Sequence, residues 1–315
     1  MIRSALMLSL ALLAAAAHAA WPDKPIRVIV PYPPGGPSDI VLRTAIEKMQ
    51  PVLKQPIVLE NKPGAAGALG AAEAARAAPD GYTWFFATDN IVTINPHVYS
   101  KLSYKPDDLV PVSVTSSFSQ TLVCNAALGA KTLADFVKAA KANKLSYASG
   151  GAGAPGHLAM ELLMASAGLE MQHIPYKGPA PAMQDVIGGQ VPCGFLAGPT
   201  VAPHVKSGRL VALAVSGKNR SPVLPEVPTV AEAGYPAYDA SFLLALFAPR
   251  GTPADVISAM HKALVDALRQ PDVVAKLQAT DQSVLGNTPA EAAAQLQGIS
   301  RKWSEVAKRI GLALD

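Results

Sequence analysis

A short strand, a glycine-rich loop and a helix follow one another twice in this chain, and that repeat limits the fold more than any other feature. The first copy is Ile26-Arg27-Val28-Ile29-Val30, then "PYPPGGPSD", then a helix whose apolar positions Val41, Ala45 and Met49 recur at helical spacing. The second is the run 145–149, then "GGAGAPGH", then a helix marked by Leu158, Leu162, Ala165 and Leu169. Further strands are expected at 57–60, 83–87, 173–176, 191–196 and 210–216. Strands alternating with helices predict an α/β architecture with mainly parallel sheets. The last third reads as mostly helical. Thr132-Leu133-Ala134-Asp135, Thr252-Pro253-Ala254-Asp255 and Thr288-Pro289-Ala290-Glu291 all read as helix-capping boxes or close variants.

Each glycine loop joins a strand end to a helix start, where unpaired N–H groups and a partial positive charge favour anions. Ser38 is the expected N-cap of the first helix, and Ser149 or His157 supplies a polar side chain to the second loop. Gly151, Gly153 and Gly156 have the spacing of a dinucleotide-binding turn, but the context fails. That turn needs an acidic residue at the end of the next strand. Here Glu170 precedes the strand and Lys177 follows it, while Pro155 removes an N–H from the helix start. The loop is expected to serve another anion.

The compartment is read from residues 1–19. Arg3 is the one charged side chain there, an apolar run extends from Ala5 to Ala17, and Ala17-His18-Ala19 fits a signal-peptidase site. Removing residues 1–19 from 315 leaves 296, enough for two domains, and lowers the net charge from +4 to +3. That mild balance, without a Lys/Arg run, speaks against nucleic acid. The six histidines and two cysteines form no zinc signature. In an oxidising compartment Cys124 and Cys193, each in an apolar strand-like stretch, are either one disulfide or two buried thiols.

The motifs "VPYPPGGPSD", "APDGY", "NPHVY", "PYKGPAPA", "GGQVP", "FAPRGTP" and the stretch 203–236 resemble, in order, those of the Bug family. These are the periplasmic solute receptors of tripartite tricarboxylate transporters. The resemblance covers nearly the whole mature chain. It implies an α/β two-domain periplasmic binding protein fold, type II-like, a Venus flytrap with a ligand cleft between lobes. Lobe 1 is expected from 20–121 and 239–315, and lobe 2 from 122–238, after a signal peptide at 1–19.

The resemblance also implies a site. From lobe 1 come Tyr32, Pro33, Gly35, Gly36, Ser38 and Asp39, with Thr88, Asp89 and Asn90 at the end of a later strand. From lobe 2 come Ser149, Gly150, Gly151, Ala152, Gly153 and His157, with Tyr176 and Lys177 after the next strand and Ala197 at another strand end. Asp39 is read as much as a helix cap as a ligand contact, His157 as a cap or lining residue, and Lys177 as a solvated charge. Relatives carry more hydroxyls in the second loop, and acidic or amide residues near Leu196. Here the sequences are "GGAGAPGH" and "CGFLAGPT", which favours an apolar or aromatic ligand body. The fold also places the Cys124 strand beside the Cys193 strand, so a disulfide between them is expected if the register sets them opposite.

The function expected is a periplasmic, monomeric receptor that passes a small organic carboxylate to the membrane components of a tripartite tricarboxylate-type transporter. It is expected to need no cofactor, no metal and no catalytic residue. The alternative is an exported small-molecule hydrolase or a ligand sensor using the same cleft, but no G-x-S-x-G elbow or Cys/His pair in a glycine loop is present. The acidic pair Asp107-Asp108 sits in a polar turn.

Overall fold

The computed structural model describes residues 21–314; the expected signal peptide lies outside them. In chain order the strands are β1 (Ile26–Val30), β2 (Ile57–Asn61), β3 (Thr83–Thr88), β4 (Leu109–Phe118), β5 (Gln120–Asn125), β6 (Ser146–Ser149), β7 (Gln172–Pro175), β8 (Cys193–Ala197), β9 (Leu210–Val215), β10 (Phe242–Pro249) and β11 (Ser283–Val284). The α-helices are α1 (Pro37–Leu53), α2 (Ala68–Ala75), α3 (Asn90–Thr93), α4 (Asn95–Val98), α5 (Leu133–Ala142), α6 (Pro155–Ala167), α7 (Pro179–Ile187), α8 (Gly198–Lys206), α9 (Ala254–Leu268), α10 (Pro271–Gln278) and α11 (Pro289–Ile310).

Two sheets result. One has the strand order β11-β4-β10-β3-β1-β2 and the other β7-β6-β8-β5-β9. The strand–loop–helix units pair in parallel, β1 with β2 and β3, and β6 with β7 and β8. The strands that arrive from the other sheet, β5 and β10, run antiparallel to their neighbours. The chain changes sheet between Phe118 and Gln120, and again between Val215 and Phe242.

Burial explains the strand compositions. All of "FLLALFAP" in β10 is buried, as a strand covered on both faces requires. In α1 the residues Val41, Leu42, Ala45, Met49 and Leu53 are buried and the opposite face is wet. Thr132 and Thr288 form full capping boxes with Asp135 and Glu291. The third expected box does not form. Pro253 is the N-cap of α9, and the Thr252 hydroxyl donates to Pro249 O at 2.8 Å.

Cys124 and Cys193 stand directly opposite in the β5–β8 ladder. The next pair is bonded, Asn125 N–H to Pro192 O at 2.9 Å, so the cysteines occupy a close, non-hydrogen-bonded position. The expected disulfide is nevertheless not formed; both are free, buried thiols. Cys193 Sγ donates to Ser146 O at 3.5 Å on the neighbouring strand β6. Burial, with Cys124 beside it, pushes its thiol well up. No helix of the described residues is long and apolar enough to cross a membrane.

Candidate ligand-binding site

The first glycine loop is shaped by a side chain that reaches backwards. Gly35 adopts φ +81°, Gly36 is an extended N-cap without a side-chain cap, and Pro37 opens α1. Ser38 is therefore not the cap; it is the second helical residue. Asp39, the third, accepts the Gly35 N–H at 3.1 Å and Arg43 Nε at 2.9 Å on one oxygen, and Asn61 Nδ2 at 3.4 Å on the other. Asn61 also donates to Tyr32 O at 2.9 Å, so the loop is tied to the end of β2. Burial opposes ionisation of Asp39, but the bonds from Arg43 and Gly35 outweigh it and hold the carboxyl below its usual range. The first-turn N–H groups of Ser38 and Asp39 have no intrahelical acceptor.

Beside this loop, the Tyr32 phenol, the Thr88 hydroxyl and the Asn90 amide form one bonded cluster, with Tyr32 donating to Asn90 Oδ1 at 3.1 Å. Burial pushes the Tyr32 phenol up, so it stays a neutral donor. Asp89 takes no part in the cluster. Its carboxylate accepts the Leu243 N–H at 2.9 Å and the Thr93 hydroxyl at 3.1 Å, which fastens the end of β3 to β10. Burial pushes Asp89 up to about 6.

The second loop has the same plan with different chemistry. Gly153 adopts φ +72°, Ala154 is an extended N-cap without a side-chain cap, and Pro155 opens α6. His157, again the third helical residue, accepts the Gly153 N–H on Nδ1 at 2.9 Å. At the other end, Ser149 Oγ accepts the Gly151 N–H at 3.1 Å, approaches Gly151 O at 3.0 Å and meets His173 Nε2 at 2.6 Å. Gly156 allows α6 to seat on β8, since a Cβ there would lie 2.2 Å from Phe195 O. The first-turn N–H groups of Gly156 and His157 are the open donors on this side.

The second loop meets the other half of the molecule through residues that stand beside the first loop. Asn90 Nδ2 donates to Gly153 O at 3.4 Å and the Tyr99 hydroxyl to Ala152 O at 3.4 Å. A Cβ on Gly178 would come 3.5 Å from Pro33. Thus Tyr32, Pro33, Thr88, Asn90, Ala152 and Gly153 converge. Gly150 belongs to the backing of the loop, its carbonyl accepting the Gly178 N–H at 3.2 Å. Tyr176 points its phenol to Asp185 Oδ2 at 2.5 Å, Lys177 is exposed, and Ala197 is buried at the start of α8. Sequence reasoning missed Asn61, Tyr147, Glu161 and His173. Glu161 lies four residues after His157 and was readable; the others arrive from neighbouring strands. A groove of about 670 Å³, lined by Val137, Lys138, Lys141 and Tyr235 among others, shares no residue with either loop. No group of His, Cys, Asp or Glu among the described residues is arranged to hold a metal ion.

Residues 41–312 match the model of the tripartite tricarboxylate transporter family receptor. The protein BugT of Bordetella pertussis is 34% identical over 298 residues, covering 93% of this chain and 91% of BugT. The structure of R. palustris Rpa4515 with adipate superposes with a TM-score of 0.88 at 30% identity, covering 93% of this chain and 99% of that one. MatC from Rhodopseudomonas palustris with bound malate gives 0.84 at 30% identity, covering 91% and 99%. These matches establish the α/β two-sheet fold of periplasmic binding proteins.

Proposed function

The chain belongs to the tripartite tricarboxylate transporter receptor family, a family of non-enzymatic binding receptors, and on that premise we propose that it captures a small organic carboxylate between its two glycine loops. It then presents the ligand to the membrane components of a tripartite tricarboxylate-type transporter. The observation that carries this reading is the pair of uncapped helix starts. In each loop the third helical side chain holds back a glycine N–H, and the first-turn donors stay open for a carboxylate.

In this reading the lobes are 20–121 with 239–315 against 122–238, because the sheets exchange chain near those points. Gly36, Ser38, Gly156 and His157 contribute backbone N–H groups, and Tyr32, Thr88 and Asn90 contribute polar side chains. Asp39 and Asp89 hold the frame. The buried "CGFLA" wall of β8 carries no acid or amide, so the ligand body is apolar or aromatic. The protein works as a monomer in the periplasm, reached through the signal peptide at 1–19. A thermal-shift panel of carboxylates, with adipate, malate and aromatic acids, tests this. Saturable stabilisation without product is expected; product formation, or no stabilisation by any member, overturns it.

A further inference from the structure

Beneath the second loop lies a stack of rings that the binding function leaves unexplained. The imidazoles of His157 and His173 lie 3.9 Å apart and 7° from parallel, and Tyr147 stacks on His173 at 4.9 Å. Register brings them together, since Tyr147 on β6 pairs with His173 on β7. Each histidine holds one end of the loop. His157 Nδ1 accepts from Gly153, and His173 Nε2 meets the Ser149 hydroxyl that brackets Gly151. His157 itself is 3% exposed.

The hydrogen bonds fix the protonation. Because Nδ1 of His157 accepts an N–H, it carries no proton; the ring proton sits on Nε2, facing Glu161 Oε1 at 3.4 Å. The titratable groups facing the pair are Glu161 from α6, Tyr147 from β6, and, behind Tyr147, Cys193 from β8. Tyr147 donates to Glu161 at 2.7 Å. Burial opposes the Glu161 charge, but the bonds from His157 and Tyr147 hold its carboxyl below the usual range. Burial and the adjacent His157 push His173 down to about 4. Two imidazolium rings at this separation repel strongly, so the stack excludes a doubly charged pair, and the acceptor role of Nδ1 keeps the His157 ring neutral.

We propose that the stacked His157–His173 pair is a pH-sensitive clasp: while neutral it holds Gly151 to Gly153 in the shape that presents N–H groups to a carboxylate, and a second proton on His157 opens it. That proton can go only to Nδ1, where it meets the Gly153 N–H head-on and breaks the bond. His173 is a positioning residue, acting through Ser149 and His157. The proposal rests on the carboxylate reading of the loop, but its mechanism is tested without ligand.

The measurement is nitrogen-15 NMR of the ligand-free chain from pH 7.5 to 4. Long-range spectra are expected to show His157 protonated on Nε2 alone at pH 7.5. On acidification the Gly153 amide is expected to lose at least tenfold of its hydrogen-exchange protection in the same step that protonates His157 Nδ1. In His157→Asn, whose Oδ1 takes the place of Nδ1 and does not titrate, Gly153 protection is expected to be independent of pH. A proton on Nδ1 at pH 7.5 overturns the proposal, as does a His157 ring that stays neutral to pH 4. So does a Gly153 amide that stays protected after His157 is charged. The wild-type spectra decide even if His157→Asn does not fold. Failure of the carboxylate panel with this coupling intact removes the binding reading and leaves the clasp.

Discussion

The loops 35–39 and 153–157 solve one problem with different chemistry. Both place a left-handed glycine, an extended N-cap and a proline before a third residue that reaches back to the glycine N–H. In the first the reaching group is a carboxylate paired with a cation four residues on, Asp39 with Arg43. In the second it is an imidazole paired with a carboxylate four residues on, His157 with Glu161. An ordinary N-cap side chain would occupy the very N–H groups that an anion needs. Pinning from the third residue stabilises the turn and leaves those donors open. The difference is that the first pin works when charged and the second when neutral.

The largest effect expected is from Gly36→Val. Its φ is −82°, and a Cβ there meets only Pro33 O at 3.8 Å, so the chain accepts valine while the branched side chain covers the helix start. Carboxylate affinity measured by calorimetry should fall about 100-fold, ~3 kcal/mol, with the unfolding midpoint unchanged. Gly151→Val is not an equivalent test. At φ +133°, with a Cβ 3.3 Å from Tyr176 O, it strains the backbone and should lower stability as well.

Two carboxyls should show opposite pH slopes. Asp281 is buried between the two halves of the molecule; one oxygen accepts the Ser221 hydroxyl at 2.8 Å and the other has no partner. Burial, against that one bond, pushes it up to about 6 from an ordinary 3.8. The folded state therefore prefers the protonated form, and stability is lost as pH rises from about 4 to about 6. Asp281→Asn should exceed wild type by ~2 kcal/mol in urea unfolding at pH 7.5, with the advantage gone at pH 4. Asp39→Asn should do the reverse. Its folded value is depressed, so its contribution is present above the ordinary 3.8 and lost as pH falls through the folded value. The variant should be weaker by ~1 kcal/mol at pH 7.5 and should converge with wild type in strong acid. Slopes of the same sign would sink this contrast.

The smallest effect isolates the second pin. Tyr147→Phe keeps the ring stack and removes the bond to Glu161. Binding at pH 7.5 should weaken about threefold, ~0.7 kcal/mol, by isothermal titration. No change would mean that Glu161 does not help to orient His157.

Much of this was legible because its causes are local. The β1 run, the glycine loops, the proline at each helix start and the boxes at Thr132 and Thr288 depend on neighbours a few residues away. Thr252 failed as a box because Pro253 took the cap position and Thr252 turned back to the end of β10. Asp39 and His157 were legible as helix-start residues, whereas their glycine partners depend on backbone angles that the sequence does not spell out. Asp89 was placed at the cleft, but its carboxylate is taken by Leu243, 154 residues away, and no local pattern signals that.

The alternation of strands and helices, the two glycine-loop helix starts and the family can all be read along the chain, because periodicity, glycine and proline act over one or two turns. Which residues face one another across strands came from the packing of the sheets. It set Cys124 opposite Cys193 yet left both as thiols. It also laid His173 on His157. Register is a long-range outcome of sheet packing, and a slip of one residue reverses the face of every side chain.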